Sequence, residues 1–168
     1  MTALTRLRPV REDELVLLAT WAGDLSSVYD DFTGDPPPRV APRPPAKPTG
    51  FGQLMVADAA DQAIGSVSWH EVAYGPGPGS LALNLGISLR PPARGHGHGA
   101  RAQRLLADHL FVHTAVHRVE ASTDVTNLAE QGALLRAGFA REGVLRGAQW
   151  RRGAFHDLVV FSRLRSDA

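Results

Sequence analysis

Seven consecutive residues, Arg94-Gly95-His96-Gly97-His98-Gly99-Ala100, set three glycines at alternate positions behind an arginine. Glycine has no Cβ, so it lets backbone amides close on an anion and accepts left-handed φ without strain. A helix beginning there would add unpaired N–H groups and a partial positive charge. Arg94 would add a charge-assisted hydrogen bond. That is the chemistry of phosphate or pyrophosphate binding. The chain has no cysteine, which excludes disulfides, thiolate nucleophiles and cysteine-ligated metals. His109, His113 and His117 recur every four residues, and His96 and His98 flank Gly97. No acidic residue joins them at ligand spacing, so they read as a solvated helix face with no metal.

The glycine turn needs a strand before it and a helix after it, and both are legible. Leu81, Leu83, Leu85, Ile87 and Leu89 alternate along Ser80–Leu89, the pattern of a strand face. Ala102, Leu105, Leu106 and Leu110 form a helical stripe within 100–113. Upstream, Leu4–Val10 reads as a short strand. Arg11–Ala22 reads as a helix with Leu15, Leu18, Ala19 and Ala22 inward, and its first turn is acidic at Glu12, Asp13 and Glu14. A second short helix is expected from about Asp24 to Phe32. Residues 36–48 contain seven of the twelve prolines and predict a surface loop. Gln53–Ala57 and Ala63–Ala73 read as strands. Downstream, the pattern predicts a strand over Val116–Ser122, a helix over Asn127–Ala137, and strands over Phe139–Leu145 and Phe155–Leu164. Trp150-Arg151-Arg152 reads as an exposed turn between the last two. The result is one α/β domain over residues 1–168, a mixed sheet of about seven strands with about four helices. Its central strand–helix–strand crossover implies a parallel pair.

Several phosphate-binding patterns compete for the turn. A P-loop requires Gly-Lys-Ser/Thr, where this chain has Gly99-Ala100-Arg101. A Rossmann site needs its glycines close behind the strand, but Arg90-Pro91-Pro92-Ala93 intervenes and no further strand–helix units follow; Glu120 matches the acidic ribose position only superficially. The third pattern, Arg-x-x-Gly-x-Gly, is met by Arg94, Gly97 and Gly99. Together with Leu85-Gly86-Ile87-Ser88-Leu89, His117-Arg118-Val119-Glu120-Ala121, Asn127, Gly138-Phe139, Glu142 to Arg146, Gly153 and Asp157, it resembles the GNAT superfamily of N-acetyltransferases. Within that superfamily the chain looks like the RimJ/RimL-like branch, and the resemblance covers nearly its whole length.

The resemblance implies the GNAT fold and acetyl-CoA as co-substrate. The backbone of Ile87, Ser88 and Leu89 should pair with the pantetheine arm like an added strand. The amides of Gly95, His96, Gly97, His98, Gly99 and Ala100, beside Arg94, should take the pyrophosphate. Asn127 holds the position of the asparagine that reaches the cofactor, and it is also an N-cap with Glu130 three residues on. The reaction it implies is direct attack of a primary amine, on a protein N-terminus or a small molecule, on the thioester. The alternatives are a different acyl donor or a non-catalytic acyl-CoA-binding module. Two positions break the pattern: Leu134 stands where many relatives carry a tyrosine acid, and Ser122 where some carry a glutamate base. Candidate bases are therefore Glu71 and His70, adjacent on one strand and so on opposite faces. Asn84 shares a face with Ser88 and would orient the acceptor; Tyr74 is a further candidate acid. Asp157 is either structural or an attractor of a cationic amine.

Composition sets the remaining bounds. Net charge is +1 over 168 residues, which gives no reason to expect nucleic acid or an anionic membrane as partner. No apolar run approaches a membrane span or a secretion signal, so a cytoplasmic protein is expected. A homodimer is left open.

Overall fold

The computed structural model describes residues 4–25, 28–29 and 51–167. The proline-rich stretch 36–48 and most of the helix expected over Asp24–Phe32 lie outside them. The chain runs through β1 (Arg6–Arg8), a 3-10 turn at Glu12–Glu14, α1 (Leu15–Leu25), β2 (Gly52–Ala57), β3 (Ala63–Ala73) and β4 (Leu81–Leu89). It continues with α2 (His98–His113), β5 (Arg118–Asp124), α3 (Leu128–Arg136), β6 (Ala140–Arg151) and β7 (Ala154–Leu164). Seven strands form one sheet in the order β1-β2-β3-β4-β5-β7-β6. Every neighbouring pair is antiparallel except β4 and β5, which is the parallel pair the crossover predicts.

The alternating leucines of β4 place Leu83 and Leu85 in the main core, with Ile87 and Leu89 packed at its margin. Ala102, Leu106 and Leu110 of α2 and Leu134 of α3 meet them there, beside Val119 and Ala121 of β5. Burying each of these leucines and the valine contributes about 1.5–3 kcal/mol. Val56 belongs to this core, whereas its neighbour Met55 faces the other side of the sheet and packs on Trp21 and Leu18 of α1. Leu15, expected inward, is 58% exposed. Three residues of 3-10 turn precede the helix, and the face that results buries Trp21 instead.

Two further boundaries move. β6 runs six residues beyond Leu145, because bulges between Arg141 and Gly143 and between Leu145 and Gln149 absorb register shifts that interrupt its periodicity. Trp150 and Arg151 are consequently strand residues paired with Phe155 and Ala154, and Arg151 is buried. The turn is only Arg152-Gly153, both at positive φ, as a two-residue hairpin loop requires. No helix among the described residues is long and apolar enough to cross a membrane.

Candidate active site

Strands β4 and β5 pair over only three rungs, Ala82–Arg118, Leu83–Val119 and Asn84–Glu120. Beyond Asn84 they part, while β4 stays paired with β3 through Gly65–Leu89. The Arg90 N–H donates to Ile64 O on the β3 side at 2.9 Å. Backbone groups alternate along a strand, so Ile87 and Leu89 turn theirs toward the gap. The Leu89 carbonyl confirms this polarity by accepting from Arg94 Nε at 2.8 Å. The expected pantetheine edge is thus a strand edge left unpaired among the described residues.

At the end of this gap the 3-10 turn Pro91–Ala93 swings the chain into the glycine turn. Gly95 and Gly97 have φ of +78° and +85°, the left-handed region, with nothing within 4 Å of where a Cβ would stand. Gly97 is the N-cap of α2 and no side chain caps it. The first α2 turn therefore offers its amides to an anion, beside Arg94. The helix starts at His98, two residues earlier than expected. The His98 ring hydrogen-bonds Thr5 Oγ1 at 3.0 Å and is turned away to that partner, and His96 is exposed.

The gap and the turn form one cavity of about 570 Å³, and Leu85 to Leu89, Arg94, Gly95, Gly97, Gly99 and Ala100 border it. Across it stand Ala121 to Asp124 and Asn127, with Arg136 from the last turn of α3. Asn127 is the N-cap of α3: its Oδ1 accepts from Glu130 N at 3.3 Å and its Nδ2 donates to Thr123 Oγ1 at 3.0 Å. Capping thus fixes the residue at the cavity wall. Gly138, at φ +91°, closes the other end of α3 with Gly138 N to Leu135 O and Phe139 N to Leu134 O. Arg136 was not singled out from sequence, because nothing in a lone arginine near a helix end distinguishes a ligand contact from a favourable dipole partner.

The far end of the cavity is framed by Tyr29, Gln149 and Leu158. Here Arg151 forms a buried ion pair with Asp124, donates through NH1 to Val28 O at 2.7 Å, and lies 5.6 Å from the centre of the Tyr29 ring. Burial pushes the Asp124 carboxyl up. Two hydrogen bonds from Thr126 and the nearby Arg151 charge override it and hold the carboxyl below its usual range. His156 Nδ1 stands 3.4 Å from the same carboxylate. Asp157 accepts from Gly147 N at 2.7 Å and so pins the second β6 bulge, a structural role.

The residues expected to move protons are dispersed. His70 is exposed on β3, opposite Asn84 in register, and Glu71 shares the face of Leu83; neither borders the cavity. Leu134 is wholly buried in the core. Asn84 lies on the last β4–β5 rung, where its Nδ2 is 3.4 Å from Glu120 Oε1. Glu120 Oε2 accepts from the Tyr74 hydroxyl at 2.7 Å and from Arg118 Nε at 2.8 Å. Burial and the Glu120 carboxylate push the Tyr74 phenol up. Arg118 also donates two bonds to Glu142, at 2.7 and 2.5 Å, which with Ser162 Oγ hold that carboxyl down at about 2. The partners that single out Glu120, Tyr74 and Asn84 above all, come from the β3–β4 connection and β4 and cannot be read from local spacing.

Residues 5–140 match the family described as Acetyltransferase (GNAT) domain. The chain is 31% identical over 117 residues to the probable N-acetyltransferase YjcK of Bacillus subtilis, covering 70% of this chain and 62% of that one. It is also similar to the ribosomal-protein-S5-alanine acetyltransferase of Vibrio fischeri, with 27% identity and a TM-score of 0.60 over 68% of this chain and 62% of the other. The match thus spans less than two thirds of the length of both. The Vibrio cholerae spermidine N-acetyltransferase, solved with CoA and spermine, shares the fold over 97% of this chain and 96% of its own, with a TM-score of 0.74 and 18% identity.

Proposed function

Because the chain belongs to the GNAT acetyltransferase family, we propose that it moves the acetyl group of acetyl-CoA onto a primary amine in a ternary complex. The parting of β4 and β5 directly above the glycine turn carries this reading. It supplies in one cavity a strand edge for a pantetheine arm and a cradle for a pyrophosphate. Ile87 and Leu89 hold the arm through backbone groups facing the gap. The amides from Gly95 to Ala100 take the pyrophosphate, with Arg94 and Arg136 supplying charge, and Asn127 lines the opposite wall.

The thioester contributes an activated acyl group whose thiol, of pKa about 8.5, leaves readily. What the chain must add is orientation, a dry gap and a donor for the developing oxyanion. The Ile87 N–H, preorganised at the strand edge, fits the last task. The acceptor is a small-molecule amine or a protein N-terminus. The expected setting is the cytoplasm.

Titration calorimetry with acetyl-CoA should show sub-millimolar binding, and thiol release should follow addition of a suitable amine. Absence of binding would sink the proposal. Binding without thiol release across a broad amine panel would instead leave an acyl-CoA-binding module.

A further inference from the structure

Glu120 sits where the two central strands separate, and a second cavity of about 620 Å³ opens over it. The walls are largely apolar: the Tyr74 ring, Leu81, Val144, Leu145 and Val160. The floor is polar, with Glu120, Glu142, Arg118 and Asn84. Ser122 borders this cavity and also the cavity assigned to the donor, so the two spaces meet beside the gap.

Glu120 is buried, its side chain 5% exposed, yet its two oxygens are used unequally. Oε2 takes the short bonds from Tyr74 and Arg118, whereas Oε1 has one 3.4 Å contact from Asn84 among the described residues. A carboxylate oxygen accepts two hydrogen bonds, so Oε1 retains capacity for a donor at the rung nearest the gap. Charge points the same way. Glu120 and Glu142 share the single Arg118 guanidinium, leaving a negative excess on the floor. Tyr74 and His117 are the other titratable side chains lining the cavity.

We propose that this second cavity is the acceptor site, that it takes a singly charged amine carried on an apolar body such as an arylalkylamine, and that Glu120 is its proton acceptor. The inference rests on the acetyltransferase reading above. The ammonium gives a proton to Glu120 Oε1, and the freed nitrogen lone pair forms the N–C bond to the acyl carbon. The C–S bond breaks with its electron pair on sulfur, which takes the second nitrogen proton to become the thiol. Glu120 returns its proton to solvent. The apolar walls favour the body of such an amine by removing it from water, and they offer nothing to the second and third charges of a polyamine.

The test compares kcat/KM for 2-phenylethylamine, spermidine and an N-terminal alanyl peptide on the full chain, with acetyl-CoA binding measured in parallel. The arylalkylamine should be at least ten-fold better than the other two. Glu120→Gln should lower kcat/KM at least about 100-fold, the scale of general-base loss, while acetyl-CoA affinity changes less than three-fold. Leu145→Trp, at a half-exposed wall away from the core, should raise KM for the arylalkylamine about ten-fold without altering acetyl-CoA affinity. Preference for spermidine or the peptide, or a Glu120→Gln variant within two-fold of the parent, overturns the inference and leaves the acetyltransferase reading standing. Failure of acetyl-CoA to bind, or of any amine to release thiol, overturns both.

Discussion

The Arg151 guanidinium is buried against the Asp124 carboxylate at the end of β5. Its other amino group holds Val28 O and its plane lies beside Tyr29, so one ion pair ties the segment after α1 to the sheet. Removing one partner of a buried pair costs about 3–5 kcal/mol, since the remaining charge is stranded. Arg151→Ala should therefore lower the melting temperature by about 10 °C for a chain of this size. Arg151→Lys, which keeps charge but not both bonds, should fall between. A melting temperature unchanged in both variants would remove the pair from the account.

Gly97 tests the cradle. Its φ of +85° at the helix N-cap is strained for any residue with a Cβ. Gly97→Ala should cost about 1–2 kcal/mol in the native backbone and weaken acetyl-CoA binding about ten-fold by calorimetry. Equal affinity for the two proteins would show that the turn does not hold the pyrophosphate.

Arg136 tests the assignment of charge. It borders the cavity between β4 and β5 from the last turn of α3. Arg136→Gln should raise the acetyl-CoA dissociation constant about ten-fold, equivalent to about 1.4 kcal/mol. It should also flatten the dependence of binding on salt. An unchanged constant at low and high salt assigns Arg136 to the helix end alone.

A separate pH effect comes from the first strand. Glu14 accepts from both amino groups of Arg8, at 2.7 and 2.6 Å, and from Arg11 N, which hold its carboxyl down at about 2. A carboxyl depressed in the folded state stabilises fully above its unfolded value of about 4.5. That contribution is lost as pH falls toward about 2. The parent should lose melting temperature across this interval, and Glu14→Gln, destabilised by about 1–3 kcal/mol at neutral pH, should show a shallower fall. Parallel curves would exclude Glu14 as the source.

The strand and helix order was legible because Leu83, Leu85, Leu106 and Leu110 repeat with the period of the element that buries them. The glycine turn was legible because Gly95 and Gly97 answer to a backbone requirement, and that leaves a mark in residue type. Bulged β6 hid its length, since a register shift breaks alternation. Glu120 and Arg151 were hidden for another reason: much of their meaning lies in distant partners, Tyr74 46 residues from Glu120 and Asp124 27 residues from Arg151, and no local pattern encodes that. His70 and Glu71 have suitable chemistry, and neither borders either cavity.

The short β4–β5 ladder has one more consequence. Three rungs join β1 through β4 to the half built from β5, β7 and β6, so the sheet is nearly two sheets. A pantetheine arm lying along Ile87 and Leu89 would act as the missing strand between them. The α2 and α3 core already packs across both halves, so such an arm would add to the join the backbone pairing that the ladder lacks.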